Sequence, residues 1–182
     1  IKQALREIKK LGIEKTIIIT GDTDKAASRV AKEVDASEYH SNLLPQDKVD
    51  LIRTLKTRFG QIAMVGDGVN DAPALAAADL GIAMGAIGSD AAIETADVAL
   101  MSDDFTKIVP LFRLAHRVRR ITRENITLAI VTKGIFLGLA VSGLATMWIA
   151  VFADMGTSLL VIANALRVLA DRKGEIPKQQ AD

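Results

Sequence analysis

Cysteine is absent from the 182 residues, which excludes a disulfide framework, a thiolate metal site and a cysteine nucleophile. Net charge is nearly absent too, at +1, so bulk electrostatics point neither to nucleic acid nor to an acidic partner. Only two histidines occur, His40 and His116. Each stands alone, and a metal site needs convergent partners, so both read as surface or capping residues. No signal peptide is expected at the start of the chain. The first residue is Ile1, and a helical pattern is already running there, so the sequence is expected to begin partway through a longer protein.

What is present divides unevenly. Up to about Arg123 the chain is mixed and charged, whereas Ile126 to Leu169 is mostly apolar. The first part alternates helical and extended patterns. Ile1–Leu11 places Ile1, Ala4, Leu5, Ile8 and Leu11 on one helical face, with Gly12 as a stop. Thr16–Thr20 is a short β-branched run, apolar on both sides as a central parallel strand requires. Helices follow at 24–34, 45–58, 71–78 and 90–95, and strands at 38–41, 61–65, 80–84 and 98–101. Strands alternating with helices predict parallel pairing in a doubly wound α/β sheet, whose ligands gather outside the carboxyl ends of the strands.

Polar motifs fall at those ends. Thr20-Gly21-Asp22 directly follows the first strand. A hydroxyl beside a glycine amide suits a phosphoryl oxygen, although a strand end followed by a helix cap would read the same way. Lys48 lies in the first turn of a helix, where the dipole disfavours a cation unless both converge on one bound anion. A solvated surface lysine is the other reading. The densest motif is Gly66-Asp67-Gly68-Val69-Asn70-Asp71-Ala72-Pro73, after a buried strand. Two carboxylates and a carboxamide crowded into a glycine-rich turn call for a hard cation, with magnesium favoured. An aspartate helix cap would explain Asp71 but not Asp67 and Asn70 together.

These strings, with AAADLGIAMG and DVALMSDD beyond them, resemble the phosphorylation domain of P-type ATPases, within the haloacid-dehalogenase superfamily. The resemblance implies a haloacid-dehalogenase-like doubly wound parallel sheet that is incomplete here. It implies phosphoryl transfer from ATP through an aspartyl-phosphate, with Asp67 holding Mg²⁺ and Asn70 and Asp71 organising the site. Thr20 and Gly21 would bind the phosphoryl oxygens beside Asp22, and Lys48 would neutralise their charge. The family's nucleophile, in an Asp-Lys-Thr-Gly-Thr motif, has no counterpart in this chain, and the nucleotide-binding and actuator domains and earlier membrane helices are missing. The chain alone is therefore expected to be inactive.

Ile126–Ala145 and Met147–Leu169 are each about the ~20 residues that cross a bilayer, joined by a tight turn near Gly143–Met147. Arg113, Arg117, Arg119, Arg120 and Arg123 precede the pair, and Arg167, Arg172 and Lys173 end it, so both outer ends are expected in the cytoplasm. The alternative is two buried helices of a larger soluble core. Lys133 and Asp154 interrupt the apolar runs at similar depth, where opposite charges would compensate each other. They would either fix the hairpin or form an ion site, with Asp154 as ligand and Lys133 as counter-ion. The lysine, the Asp-x-Gly string and Ala-Asn-Ala-Leu-Arg resemble the zinc/cadmium/lead-exporting class of heavy-metal P-type ATPases rather than the copper or cobalt classes.

The expected layout is thus residues 1–115 as part of the phosphorylation domain and 116–125 as a juxtamembrane basic helix over anionic lipid. Residues 126–169 form the transmembrane hairpin and 170–182 a cytoplasmic tail. Expected partners are the plasma-membrane bilayer, the other domains of the same pump and a divalent ion (Zn²⁺, Cd²⁺ or Pb²⁺), with no nucleic acid. The competing readings are a phosphatase of the same superfamily, or a non-catalytic membrane-tethered fragment binding magnesium or phosphate.

Overall fold

The computed structural model describes residues 1–68, 70–85, 90–144 and 146–170. The tail beyond Ala170, with Arg172 and Lys173, and Val69 of the glycine-rich turn lie outside the described residues. The chain forms two compact units, Ile1–Val109 and Pro110–Asp182, dividing earlier than the expected boundary at residue 115.

In the first unit the elements run α1 (Lys2–Lys10), β1 (Ile17–Ile19), α2 (Asp24–Val34), β2 (Glu38–His40), α3 (Pro45–Phe59), β3 (Ala63–Gly66), α4 (Ala72–Ala77), β4 (Leu80–Met84), α5 (Asp90–Thr95) and β5 (Val98–Leu100). Every strand pair is parallel, as the alternation requires. The strands form two ladders instead of one: β1 with β2, and β3–β4–β5 in that order. In register, Ile18 faces Tyr39 across the first ladder and Val65 faces Ile82 across the second. β1 and β3 therefore each have one ladder partner among the described residues, and each leaves one strand edge unpaired.

The core joins the ladders. Val49 and Ile52 of α3, Met64 of β3, Ala74 and Leu75 of α4 and Ala83 of β4 are buried together, and Ile19 of β1 packs against them. Apolar burial of this kind is worth roughly 1.5–3 kcal/mol for each large aliphatic side chain. α1 is amphipathic as predicted, but only Ala4 and Ile8 are buried, and Ile1 remains exposed. The third strand starts later than the sequence suggested. The Ile62 amide donates to the Asp79 carboxylate at 2.9 Å, and the Ile62 carbonyl accepts from Asp79 and Leu80, so side-chain and turn bonds occupy that residue.

A 3-10 turn at Phe105–Lys107 is capped by Asp104, whose carboxylate accepts the Thr106 amide at 2.9 Å. It leads into α6 (Ile108–Val141), which is continuous, so residues 116–125 are the middle of one long helix and not an element of their own. α7 (Met147–Ala170) follows. Between them Gly143, at φ 75°, sits in the left-handed region that ends a helix. The Gly143 and Leu144 amides donate back to Ala140 and Leu139 at 3.1 and 3.0 Å and close the last turn. α6 and α7 are each long and apolar enough to cross a membrane. Val141, Leu144, Trp148 and Phe152 are exposed, so the hairpin's apolar surface is not covered by the described residues of this chain.

Candidate functional site

The loop after β1 is tied to the start of α3. The Thr20 carbonyl accepts the Leu43 amide at 3.2 Å and the Asp22 carbonyl accepts the Asn42 amide at 2.8 Å. A Cβ on Gly21 would lie 3.2 Å from the Leu43 carbonyl oxygen, so a side chain there would press on the neighbouring loop. The Thr20 hydroxyl donates to Asp22 Oδ2 and accepts the Asp22 amide, both at 3.1 Å. This is local turn geometry, and it leaves the hydroxyl at the carboxyl end of the strand.

α3 then carries Lys48 across to the next loop. Pro45 occupies the first helical turn, where its missing amide hydrogen costs nothing. Asp47 Oδ2 accepts the Leu44 amide at 2.9 Å, stapling the helix start. Lys48 Nζ reaches Asp71 Oδ1 at 2.6 Å, both side chains being largely buried at 15% and 17% exposure. The solvated-lysine reading of Lys48 is thereby removed. The pairing also corrects the picture of Asp67 and Asp71 as two carboxylates awaiting one cation, because Asp71 already has the Lys48 ammonium.

Asp71 caps α4, and its carbonyl accepts the Leu75 amide at 2.8 Å. Its side chain lies so close to β3 that a Cβ on Gly66 would meet Asp71 Oδ2 at 2.8 Å. Glycine is therefore required at 66 by close approach. Asp67 Oδ1 accepts the Asn70 amide at 3.3 Å, curling the turn back on itself. The predicted residues thus form one connected series: Thr20–Asp22 bound to the residues before α3, Lys48 on α3 bound to Asp71, Asp71 against Gly66, and Asp67 bound to the amide of Asn70, which precedes Asp71. The donor set fits a magnesium ion, which takes one or two carboxylates and fills its remaining positions with water and phosphate oxygens. Asp67 offers such a carboxylate directly after β3.

In the second unit Lys133 Nζ lies 3.8 Å from Asp154 Oδ1, which joins α6 to α7 as the sequence anticipated. Sequence reasoning missed the Asn164 Nδ2 bond to Asn125 Oδ1 at 2.8 Å. Each asparagine stands alone in its own helix, and only the hairpin brings them together. It also missed Glu38, which binds His40 at 3.0 Å and Arg58 at 3.1 Å. Desolvation would raise the Glu38 pKa, but the His40 hydrogen bond and the Arg58 guanidinium together hold it below the usual carboxylate value. Among the described residues no three His, Cys, Asp or Glu side chains gather as a metal cluster.

A family model described as haloacid dehalogenase-like hydrolase matches residues 1–79. The probable cadmium-transporting ATPase of Listeria monocytogenes is 51% identical over 168 residues, covering 92% of this chain and 24% of its own length. The zinc-transporting ATPase of Synechocystis sp. is 49% identical over 168 residues, covering 91% of this chain and 23% of its own. The crystal structure of a zinc-transporting PIB-type ATPase in the E2.Pi state matches with TM-score 0.85 at 46% identity, over 92% of this chain and 27% of that one. The chain therefore spans about a quarter of the length of the relatives it matches.

Proposed function

Given that this chain carries a haloacid-dehalogenase-like hydrolase domain and is homologous to cadmium- and zinc-transporting P-type ATPases over nine-tenths of its length, we propose that it is the C-terminal part of an ATP-driven pump exporting divalent heavy metal. The ions are Zn²⁺, Cd²⁺ or Pb²⁺. The observation that carries the reading is the Lys133–Asp154 pair at 3.8 Å, set in two membrane-length helices joined to a phosphoryl-transfer fold. A carboxylate suits a divalent ion better than a soft monovalent one. In this reading Asp154 supplies an oxygen to the ion, and Lys133 neutralises that carboxylate when the ion has left.

Phosphoryl transfer asks the protein for positioning and charge stabilisation. The Thr20 hydroxyl turns from Asp22 to donate to a phosphoryl oxygen, and the Gly21 amide donates to another. Lys48, with three N–H donors, keeps Asp71 and turns its remaining donors to the transferring group. Asp71 holds that ammonium in place, and Asn70 and Asp67 shape the turn beside it. Asp67 would hold Mg²⁺, which when bound neutralises phosphate charge. A carboxylate oxygen bonds to the γ-phosphorus as the bond to the ADP oxygen breaks. That carboxylate comes from outside this chain, since no Asp-Lys-Thr-Gly-Thr string is present. The chain alone is therefore inactive and works with the actuator and nucleotide-binding domains and the earlier membrane helices. The arginines from Arg113 to Arg123 and Arg167 support, by the positive-inside rule, a cytoplasmic position for both outer hairpin ends and the first unit at the plasma membrane.

The test is metal-stimulated ATP hydrolysis by the intact pump in detergent, wild type beside Asp154→Ala. Stimulation by zinc, cadmium or lead is expected, with at least a tenfold loss in the variant. Stimulation only by copper(I) or cobalt, or an unaffected variant, would overturn the assignment of the ion.

A further inference from the structure

Asn125 on α6 and Asn164 on α7 are half-buried polar groups that the sites above do not use. Asn164 Nδ2 donates to Asn125 Oδ1 at 2.8 Å. Arg167 Nη1 donates to Asn164 Oδ1 at 2.9 Å. A guanidinium can only donate, so Asn164 turns its oxygen to Arg167 and its NH₂ to Asn125. Asn125 must then accept. The network has a direction, from Arg167 through Asn164 to Asn125.

Its place along the helices matters. From the asparagines, Lys133 lies about 12 Å along α6 and Asp154 about 15 Å along α7, at ~1.5 Å per residue. One antiparallel register satisfies both bridges. At about 100° per residue, each charged residue also lies roughly 80° round its helix from the asparagine. With the asparagines locked between the helices, the ion pair falls at the edge of the seam, where Lys133 and Asp154 are 72% and 65% exposed. A slip of one residue on either helix would carry one partner about 100° away and break both bridges.

We propose that the Asn125–Asn164 bond, oriented by Arg167, is a positioning pair that sets the register and rotation of the hairpin and so holds Lys133 and Asp154 as one ion site. The inference rests on the reading of Asp154 as the transport ligand. It makes an asymmetric demand. Asn125→Asp keeps the acceptor that Asn164 needs, whereas Asn125→Leu removes it. Asn164→Leu removes both the donor to Asn125 and the acceptor for Arg167.

Two measurements test it. In the intact pump, Asn125→Leu and Asn164→Leu are expected to raise the half-saturating zinc concentration about three- to tenfold, the effect of losing one interhelical hydrogen bond. The maximal rate at saturating zinc stays within about twofold, and Asn125→Asp stays near wild type on both measures, on the same reasoning. Equal effects of Asn125→Leu and Asn125→Asp, or a loss confined to the maximal rate, would overturn the inference. The second measurement needs no transport. In the cysteine-free chain in micelles, Lys133→Cys with Asp154→Cys is cross-linked by a short bismaleimide in each Asn125 background. Cross-linking should persist with Asn125→Asp and fall severalfold with Asn125→Leu; no difference would sink the pair. If zinc fails to stimulate even the wild-type pump, the transport reading fails, and the cross-linking order alone decides for or against the positioning pair.

Discussion

At the scale of single residues, the site depends on how close β3 comes to the start of α4. The Asp71 carboxylate is held between the Lys48 ammonium at 2.6 Å and the backbone at Gly66. Gly66→Ala would place a methyl group 2.8 Å from Asp71 Oδ2, inside any real contact distance. On the proposed function, the displaced carboxylate would drag Lys48 from the transferring phosphoryl group. Phosphoenzyme formation by the intact pump should fall about 100-fold, the loss that a shift of ~1 Å brings at a reacting centre. ATP binding, measured by nucleotide protection from proteolysis, should remain. A Gly66→Ala pump that phosphorylates normally would show that the Lys48–Asp71 pair has no part in transfer.

Among the elements, α3 and the segments leading into β3 and β4 are held together by one carboxylate. Asp79 accepts the Ile62 amide at 2.9 Å and pairs with Lys56 of α3 at 2.9 Å. The Ile62 hydrogen bond, and after it the Lys56 ammonium, keep the Asp79 pKa below its ordinary value of 3.8. The native state thus binds its proton later than the unfolded chain does. Stability from Asp79 is present above the ordinary value and is lost as pH falls through the lowered one. Asp79→Asn should therefore lower the melting temperature at pH 7, and the gap to wild type should narrow below about pH 3.8. Thermal unfolding of the chain in detergent across that range measures it. A gap independent of pH would mean that the lost contact is not ionic.

At the scale of the whole chain, the two units face different solvents. The first buries an aliphatic core between its ladders, whereas the hairpin leaves Val141, Leu144 and Trp148 at 83%, 73% and 72% exposure. Surfaces of that kind are stable in lipid and adhesive in water. The unpaired edges of β1 and β3 add backbone groups open to another strand. The purified chain should be monodisperse only in detergent and should aggregate when detergent is removed, as size-exclusion chromatography would register. A monodisperse peak in plain buffer would rule out the membrane assignment of α6 and α7.

The sequence by itself determined the order and type of the elements, because their signals are local. Ile17–Ile19 is too short and too β-branched for a helix, and an apolar run the length of α7 fits a bilayer. It also marked Thr20, Lys48, Asp67, Asn70, Asp71, Lys133 and Asp154 as candidates, since polar groups at strand ends and ionisable groups in apolar helices stand out against their surroundings. What it could not supply, the Lys133–Asp154 pair aside, was pairing. That Lys48 takes Asp71, that Asp79 reaches back to Ile62 and Lys56, and that Asn125 meets Asn164 across the hairpin depends on which distant segments pack together. Residues tens of positions apart leave no local pattern of their meeting, and only the tertiary structure decided it.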